Sequence, residues 1–355
     1  MKRLLILLLP LFSSCKFVPY TGNDIYDVKA DITKDEAVHF KNSLEWWYFT
    51  GHLQDSAGAE YGIEYVFFHF NPRNKADYLL TNFAITDPEG KRFTYDYKFE
   101  KQDSLLSPQL PLHLRVEDKN RRHILKGMAG TYEIEANMNG SDVAVSLKTS
   151  PDKPLLLHNG TGYEQYGDYA QAGYYSYPRL KTTGTITIAG KNIPVDGQLW
   201  YDRQWNCVGV WQKEIAWDWV SIQLDSPRSE IMLYRLYHFG DETLIYGGSY
   251  FDENGELLTL KKDDITFEEQ DYWVSMRSKA KYPIKWKIKV KPLDAEFTVE
   301  ARIPDQELGL SFTPLHKLYY WEGMCSVKGS MAGKPVAGKS YIELTNRDRF
   351  NKSDQ

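Results

Sequence analysis

The sequence has few cysteines, no excess of basic residues and no long segment of helical periodicity. Its 355 residues include only three cysteines, Cys15, Cys207 and Cys325, which is too few for a disulfide framework or a cysteine-based metal site. Cys207 and Cys325 either form one bridge or stay apart as buried thiols. The formal net charge is −5, so the basic face that nucleic-acid binding needs is missing. We expect no nucleic-acid partner.

Familiar catalytic signatures are also missing. The chain has no Gly-x-Ser-x-Gly, no His-Glu-x-x-His, no phosphate-binding glycine loop and no dinucleotide-binding glycine motif. Its eight histidines are scattered without the spacing of metal ligands. We therefore expect neither a metal nor a cofactor.

Residues 1–14 have the pattern of a bacterial lipoprotein signal. Lys2 and Arg3 are followed by a short apolar run over residues 4–12, and two serines precede Cys15. The run is too short to span a bilayer but fits a secretory signal. We predict cleavage and lipidation at Cys15, which would anchor the protein in the cell envelope. No acidic run follows Cys15, so we expect an outer-membrane lipoprotein facing either the periplasm or the surface; the alternative is an ordinary signal peptide that leaves Cys15 free.

Aromatic residues are abundant, at 14% of the chain with 25 tyrosines, and such residues favour strands and line ligand cavities. From residue 44 onward, short strand-like runs alternate with turns such as Asn139-Gly140, a strong hairpin signal. This pattern predicts an all-β fold of barrels or sandwiches. Residues 151–177 break it with glycines and tyrosines, so we predict a long loop there, either a functional rim or lid or a surface crossing.

The two halves of the chain resemble each other. Residues 46–70 begin with tryptophans, pass through Asp-Ser and end in an aromatic strand with His-Phe, and residues 217–239 repeat that order. This favours two related β-domains of eight to ten strands each, with a boundary near residue 205. The predicted organisation is a signal peptide at 1–14, a tether at 15–43, an N-terminal domain at 44–205, a C-terminal domain at 206–347 and a tail at 348–355.

One stretch, residues 197–205 followed by residues 217–219, concentrates tryptophans, aspartates and an arginine. Buried indole nitrogens and carboxylates need hydrogen-bond partners, so this mixture suits the wall of a ligand pocket. Arg203, beside Asp202 among aromatic residues, could form a bidentate pair with the aspartate or stack on an indole. Such a pair would orient a ligand or lock two domains together. Asp218, between two tryptophans, is either a general acid with a pKa raised by burial or a structural carboxylate. Glu322, beside Trp321, has the same two readings.

Period-two alternation assigns faces to two tryptophan-rich strands. One face of the first strand carries Trp46, Tyr48, Thr50 and His52, and one face of the corresponding later strand carries Trp217, Trp219, Ser221 and Gln223. Tryptophan occurs on both faces of the first strand, because Trp47 follows Trp46. Both faces therefore need a cover, and we expect the other domain to provide it. The alternative for each tryptophan is plain core packing.

Five motifs occur in order and together resemble one family. They are EWWYFTGHL at 45–53, YYSYPRL at 174–180, WYDRQW at 200–205, WDWVSIQL at 217–224 and YWEG at 320–323. Over about residues 44–346 the chain resembles the AttH-like, lipocalin-like proteins that include hydroxyneurosporene synthase, a carotenoid 1,2-hydratase. The resemblance implies two lipocalin-like antiparallel β-barrels packed together, with a hydrophobic small molecule held among aromatic side chains. Relatives include hydratases of terminal isoprenoid double bonds and pericyclases that fold polyenes.

The resemblance also implies site residues. The hydratases carry a histidine, proposed to move protons, where this chain has Arg203, which stays protonated. Asp202 and Trp205 match the family, and a downstream Tyr-x-Asp corresponds to Tyr234 and its neighbours, without the acid. The catalytic candidates are Asp202, Asp218 and Tyr234, and the ligand-binding candidates are Trp46, Tyr48, His52, Arg203, Trp205, Trp217, Trp219, Trp321 and Glu322.

The function expected from these residues is binding of an isoprenoid, polyene or lipid-like molecule. Hydratase or isomerase activity on that molecule would extend this role. The alternatives are a non-catalytic lipocalin-like carrier and an envelope scaffold whose aromatic residues only fill cores. The expected partners are therefore a hydrophobic small molecule and, through the lipid on Cys15, a membrane.

Overall fold

A computed structural model describes residues 29–39, 44–71, 76–103, 106, 108–167, 170–208, 215–239, 243–313 and 316–347. The predicted signal peptide, the lipidation site at Cys15 and the C-terminal tail lie outside these residues, as does the side chain of Cys207. Cys325 is buried with a free thiol. Within the described residues, no helix has both the length and the apolar character needed to cross a membrane.

The first half of the chain forms a twelve-stranded antiparallel sheet. Its strands are β1 (Glu45–Asp55), β2 (Glu60–Phe70), β3 (Tyr78–Asp87), β4 (Arg92–Lys101), β5 (Leu112–Glu117), β6 (Arg122–Met128), β7 (Thr131–Asn137), β8 (Ala144–Pro151), β9 (Leu156–Leu157), β10 (Tyr163–Tyr166), β11 (Ala170–Ile188) and β12 (Lys191–Val208). The order is β4-β3-β2-β1-β12-β11-β8-β7-β6-β5, with β9 and β10 also paired to β11. Thus β1 pairs with β12, and the sheet curls into a nearly closed barrel.

The second half repeats this arrangement in a ten-stranded sheet and a two-stranded one, β18–β19. Its strands are β13 (Ile215–Leu224), β14 (Glu230–His238), β15 (Thr243–Phe251), β16 (Leu257–Lys261), β17 (Ile265–Glu269), β18 (Tyr272–Val274), β19 (Lys281–Pro283), β20 (Lys285–Val290), β21 (Ala295–Ala301), β22 (Glu307–Thr313), β23 (His316–Met331) and β24 (Lys334–Thr345). The order is β16-β15-β14-β13-β24-β23-β21-β20-β17, with β22 on β23. The all-β, two-barrel expectation is confirmed, and β13 occupies the place in its barrel that β1 occupies in the first.

Side chains fill the interior of each barrel, and a third cluster joins the two barrels. On β1, Trp47 and Phe49 point into the first core, whereas Trp46 and Tyr48 join the cluster shared with β13, β14 and β24. On β13, Val220 and the alternate residues after it enter the second core. The predicted alternation is therefore confirmed, and each barrel covers the tryptophan-bearing face of the other.

Buried ion pairs fasten the barrels at one end of their interface. Glu230 on β14 is fully buried and accepts hydrogen bonds from Lys153 at 2.8 Å and Arg179 at 2.7 Å, both from the first barrel. A carboxylate with two charged donors is compensated despite its burial. The relative position of the barrels is therefore tied to specific groups as well as to apolar contact.

The predicted tether is packed where the structure describes it. Residues 29–39 include a short helix, α1 (Ile32–Asp35), and bury Glu36 inside the first barrel. The carboxylate of Glu36 accepts hydrogen bonds at 2.6–2.7 Å from the hydroxyls of Tyr132, Tyr175 and Tyr201. Without Glu36, these three hydroxyls would lose this hydrogen-bond partner. The segment at residues 29–39, here called the plug segment, therefore occupies part of the interior of the first barrel.

The long loop predicted over residues 151–177 is largely strand. β10 and the first part of β11 lie within it, and β11 continues for 19 residues in all. One of the glycines that suggested a loop, Gly173, serves packing, because a side chain there would collide with the indole of Trp205 at 2.2 Å. Pairing with β12 sets Ser176 directly opposite Asp202. This register positions the candidate site.

Candidate functional site

A cavity of about 60 Å³ lies between the barrels, enough for several water molecules, so a ligand of isoprenoid size must displace some of the lining side chains to enter. Strands from both barrels supply its mostly aromatic wall. The lining residues are Trp46, Tyr48, Phe68, Tyr166, Tyr174, Asp202, Gln204, Trp217, Trp219, Tyr234, Leu236 and Glu343. Its polar groups are hydroxyls, one amide, three indole N–H groups and two carboxyls, which is the composition of a site for a largely apolar molecule.

Strand β12 divides the WYDRQW motif between two environments. Trp200, Asp202 and Gln204 face the second barrel, and Tyr201, Arg203 and Trp205 face the interior of the first. The expected Asp202–Arg203 pair is therefore wrong, because adjacent side chains on a strand point in opposite directions. The aspartate belongs to the cavity and the arginine does not.

Asp202 is the acid in this cavity. It is nearly fully buried and accepts hydrogen bonds from the Tyr174 hydroxyl at 2.7 Å, the Ser176 hydroxyl at 2.5 Å and the Trp200 indole at 2.5 Å. Burial raises the pKa of Asp202 to about 7, against the opposing effect of these three neutral donors. Near neutral pH, Asp202 is thus present in both protonated and ionised forms.

Glu343 on β24 provides a second carboxyl on the cavity wall, in register with Trp219 on β13. Burial raises the pKa of Glu343 to about 7, opposed by a hydrogen bond from Trp217, and the charge of Asp202 adds to the increase. The sequence analysis missed this residue. Its only signal is a lone glutamate inside the apolar run at 341–345.

Two further carboxyls lie behind the cavity. Tyr48 donates a 2.7 Å hydrogen bond to Glu322 Oε2, and Glu322 and Glu64 are fully buried. Neither oxygen of Glu64 has a hydrogen-bond partner among the described residues. Burial, and then the charge of Glu343, raise the pKa values of both glutamates well above their ordinary range. Burial without a cation therefore favours the neutral form of both carboxyls.

Tyr234 lines the cavity and donates a 2.7 Å hydrogen bond to Glu164 on β10. Burial raises the pKa of Glu164 to about 7, and the Tyr234 hydroxyl opposes this effect. The edge of the Tyr166 ring meets the Tyr234 ring with centroids 4.9 Å apart. The segment predicted as a loop or rim thus forms part of the wall.

Asp218, the other acid proposed from sequence, faces the second barrel. It pairs with Arg235 and, at 2.6 Å, with Arg347. Burial alone would raise the pKa of Asp218, but the two guanidinium groups lower it below its ordinary value. The expectation of a raised pKa, and with it the general-acid role, is wrong.

Four predicted ligand-binding residues lie away from the cavity lining. Arg203 is fully buried, paired with Glu45 at 2.5 Å and 4.1 Å from the centre of the Trp47 ring. It also donates to the carbonyl oxygens of Asp35 and Ala37, so it holds the plug segment.

The other three also have structural partners. Trp205 stacks on His39, with ring centroids 5.7 Å apart. His52 Nε2 lies 3.0 Å from the Ser340 carbonyl oxygen, and Trp321 donates to the Pro304 carbonyl oxygen at 2.9 Å. Among the remaining candidates, Trp46, Tyr48, Trp217 and Trp219 line the cavity, and Glu322 lies behind Tyr48.

The profile of the AttH-like family matches residues 26–347. The chain belongs to the AttH-like family. Its fold resembles that of an AttH candidate from Nitrosomonas europaea, with 25% identity and a TM-score of 0.77 over 91% of this chain and 98% of the other. Kievitone hydratase from Nectria haematococca has 18% identity to this chain and a TM-score of 0.71, over 93% of this chain and 95% of the hydratase. The structure of CghA has 13% sequence identity to this chain and a TM-score of 0.58, over 90% of this chain and 97% of CghA. No curated protein sequence matches this AttH-like chain.

The buried, uncompensated carboxyls predict how the stability of this AttH-like chain depends on pH. Glu64 stays protonated in the folded state, whereas in the unfolded chain it ionises near its ordinary pKa of 4.5. Its contribution to stability is therefore present below that pH and is lost as pH rises towards its raised pKa. We predict that Glu64→Gln reduces the fall in unfolding free energy between pH 5 and pH 8 by about 1–3 kcal/mol. Urea denaturation at both pH values measures this.

The matched control is Glu133→Gln, because Glu133 is exposed and paired only with Lys148 at the surface. This control should keep the wild-type dependence. An unchanged dependence in Glu64→Gln would show that Glu64 ionises freely in the folded protein.

Proposed function

We propose that the protein binds a hydrophobic molecule with a carbon–carbon double bond in the cavity between its barrels and acts on it as a hydratase. The observation that carries this proposal is Asp202, an acid that is protonated in part of the population near neutral pH and faces an aromatic cavity. A general acid works best when its pKa is near the operating pH. Asp202 meets that condition.

The lining indicates the class of ligand. Trp46, Trp217 and Trp219 offer large apolar faces, and none of the lining residues is a lysine or an arginine. Such a wall does not select an anionic group, but it favours an isoprenoid, polyene or lipid-like chain. Aromatic faces also attract cations by about 0.5–2 kcal/mol each. A carbocation formed during the reaction would be stabilised in the same place.

The proposed steps use both cavity carboxyls. The π electrons of the double bond form a C–H bond with the proton of Asp202, which leaves Asp202 ionised and the neighbouring carbon positively charged. A water oxygen then forms a C–O bond with that carbon, and the added water gives one proton to ionised Glu343. Transfer of that proton back to Asp202 through solvent restores the starting state, so the net change is addition of one water.

Loss of a proton from the cation, without attack by water, would instead give isomerisation by the same residues. Kievitone hydratase supports the proposal only as an example of this architecture in a protein named as a hydratase. Its 18% identity supports the shared fold and transfers no residue role.

Replacing the acid tests the catalytic claim. We predict that the protein hydrates an isoprenoid alcohol such as geraniol or farnesol in water enriched in oxygen-18, giving a product about 20 mass units heavier. Asp202→Asn should lower the rate by about 10²–10⁴-fold, because the amide has no transferable proton. Mass spectrometry measures the labelled product. Asp196→Asn, in the exposed first part of the same strand, is the matched control and should keep full activity.

Equal turnover in Asp202→Asn and wild type would contradict the catalytic role. Saturable binding of these alcohols without a labelled product or an isomer would favour the carrier function instead. Absence of both binding and turnover would favour a scaffold.

We further propose that the protein is a lipoprotein of the cell envelope, with its lipid attached to Cys15. The support is the sequence pattern of residues 1–15. Cells fed radiolabelled palmitate should label the wild-type protein and not the Cys15→Ser variant. Equal labelling, or none in wild type, would contradict the anchor.

A further inference from the structure

His158 and Ser176 are two buried polar residues that the steps above do not use. His158 begins a short turn after β9, is fully inaccessible to solvent and lies beside the site. Its ring centre is 3.9 Å from that of Tyr174, which fixes the plane of the imidazole next to a residue that binds Asp202.

Hydrogen bonds connect His158 to Asp202 in a continuous row. Nδ1 of His158 is 2.9 Å from the Ser249 hydroxyl of the second barrel, and Nε2 is 2.8 Å from the Ser176 hydroxyl. Ser176 in turn donates to Asp202 Oδ1 at 2.5 Å. All four side chains are at most 2% exposed.

This row has two complete hydrogen-bonding states. When Asp202 is ionised, Ser176 donates to it, His158 Nε2–H donates to Ser176, and Ser249 donates to Nδ1. When Asp202 is protonated, Asp202 donates to Ser176, Ser176 donates to Nε2, and Nδ1–H donates to Ser249. The second state holds one more proton than the first, taken up from solvent water, and the imidazole is neutral in both.

Neutrality of the imidazole follows from its surroundings. Burial lowers the pKa of His158 to about 3, so it carries no charge at neutral pH. The titratable groups that face the row are Asp202 and Tyr174 from the first barrel, with Glu343 of the second barrel acting on Asp202. Tyr174 has its pKa raised by burial and also stays neutral. Asp202 is therefore the member of the row that titrates near neutral pH.

We propose that His158 is a positioning residue for Asp202: through Ser176, its imidazole changes tautomer whenever Asp202 gains or loses its proton, and so supports both forms of the acid. This inference rests on the proposed role of Asp202 and assigns a partner to it. The row brings a histidine from the turn after β9 to the aspartate of β12.

Nitrogen-15 NMR of histidine-labelled protein tests the coupling without any substrate, because protonated and unprotonated ring nitrogens have well-separated shifts. The His158 signals are assigned by their absence in His158→Gln. In wild type we expect the Nδ1–H tautomer at pH 5.5 and the Nε2–H tautomer at pH 9, with a midpoint at about 7, the pKa of Asp202. Asp202→Asn should abolish the change, and Ser176→Ala should abolish it while Ser176→Thr restores it.

One tautomer retained across this range in wild type, or a change that persists in Ser176→Ala, would overturn the inference. Should Ser176→Ala fail to fold, wild type and Asp202→Asn still decide the matter. Failure of this inference is distinguishable from failure of the proposed function. If Asp202→Asn loses geraniol turnover but wild type keeps one His158 tautomer at all pH values, Asp202 remains the acid and His158 is not its positioning residue.

Discussion

Residues 199–205 of strand β12 are buried on both faces, and the alternation of their side chains governs the rest of the structure. Consecutive residues must enter different environments, so Asp202 and Arg203 cannot neutralise each other although they are adjacent in sequence. Arg203 enters the first barrel, where Glu45 pairs with it and carbonyl oxygens of the plug segment and of strands β1 and β12 accept its other hydrogen bonds. Asp202 enters the interface, where hydroxyls and an indole surround it.

Cations therefore compensate Glu45 and Asp218 inside the barrels, whereas the carboxyls on and behind the cavity wall have no cation as partner among the described residues. Arg235 and Arg347 hold Asp218 ionised in the second barrel, whereas burial raises the pKa values of Asp202, Glu343, Glu322 and Glu64. Burying carboxyls without cations costs stability once the pH exceeds their ordinary pKa. The same cost leaves a protonated acid facing an apolar ligand site, which is what hydration of a double bond requires.

Local patterns in the sequence were enough to predict the strands and the faces of β1 and β13, because alternation and hairpin turns act over a few residues. The choice of two barrels over sandwiches came from the family resemblance. Local patterns were not enough to separate Asp202 from Asp218, since both lie among tryptophans. The difference comes from Arg235 and Arg347, the second of which is 129 residues from Asp218 in the chain. Residues 151–177 were misread because Gly173, which makes room for Trp205, also looks like a loop glycine. Similarly, the residues near Glu36 in sequence could not predict its three tyrosine partners, which are 96 to 165 residues away along the chain.

The central claim is that the ligand lies between the barrels, against Asp202. A crystal structure of the protein with 3,7-dimethyloctanol, a saturated isoprenoid alcohol that cannot be hydrated, tests this most directly. The account predicts the alkyl chain between Trp46, Trp217 and Trp219, with ligand atoms within about 4 Å of the Asp202 carboxyl. Density for the alcohol inside either barrel, with the cavity between them unchanged, would contradict it.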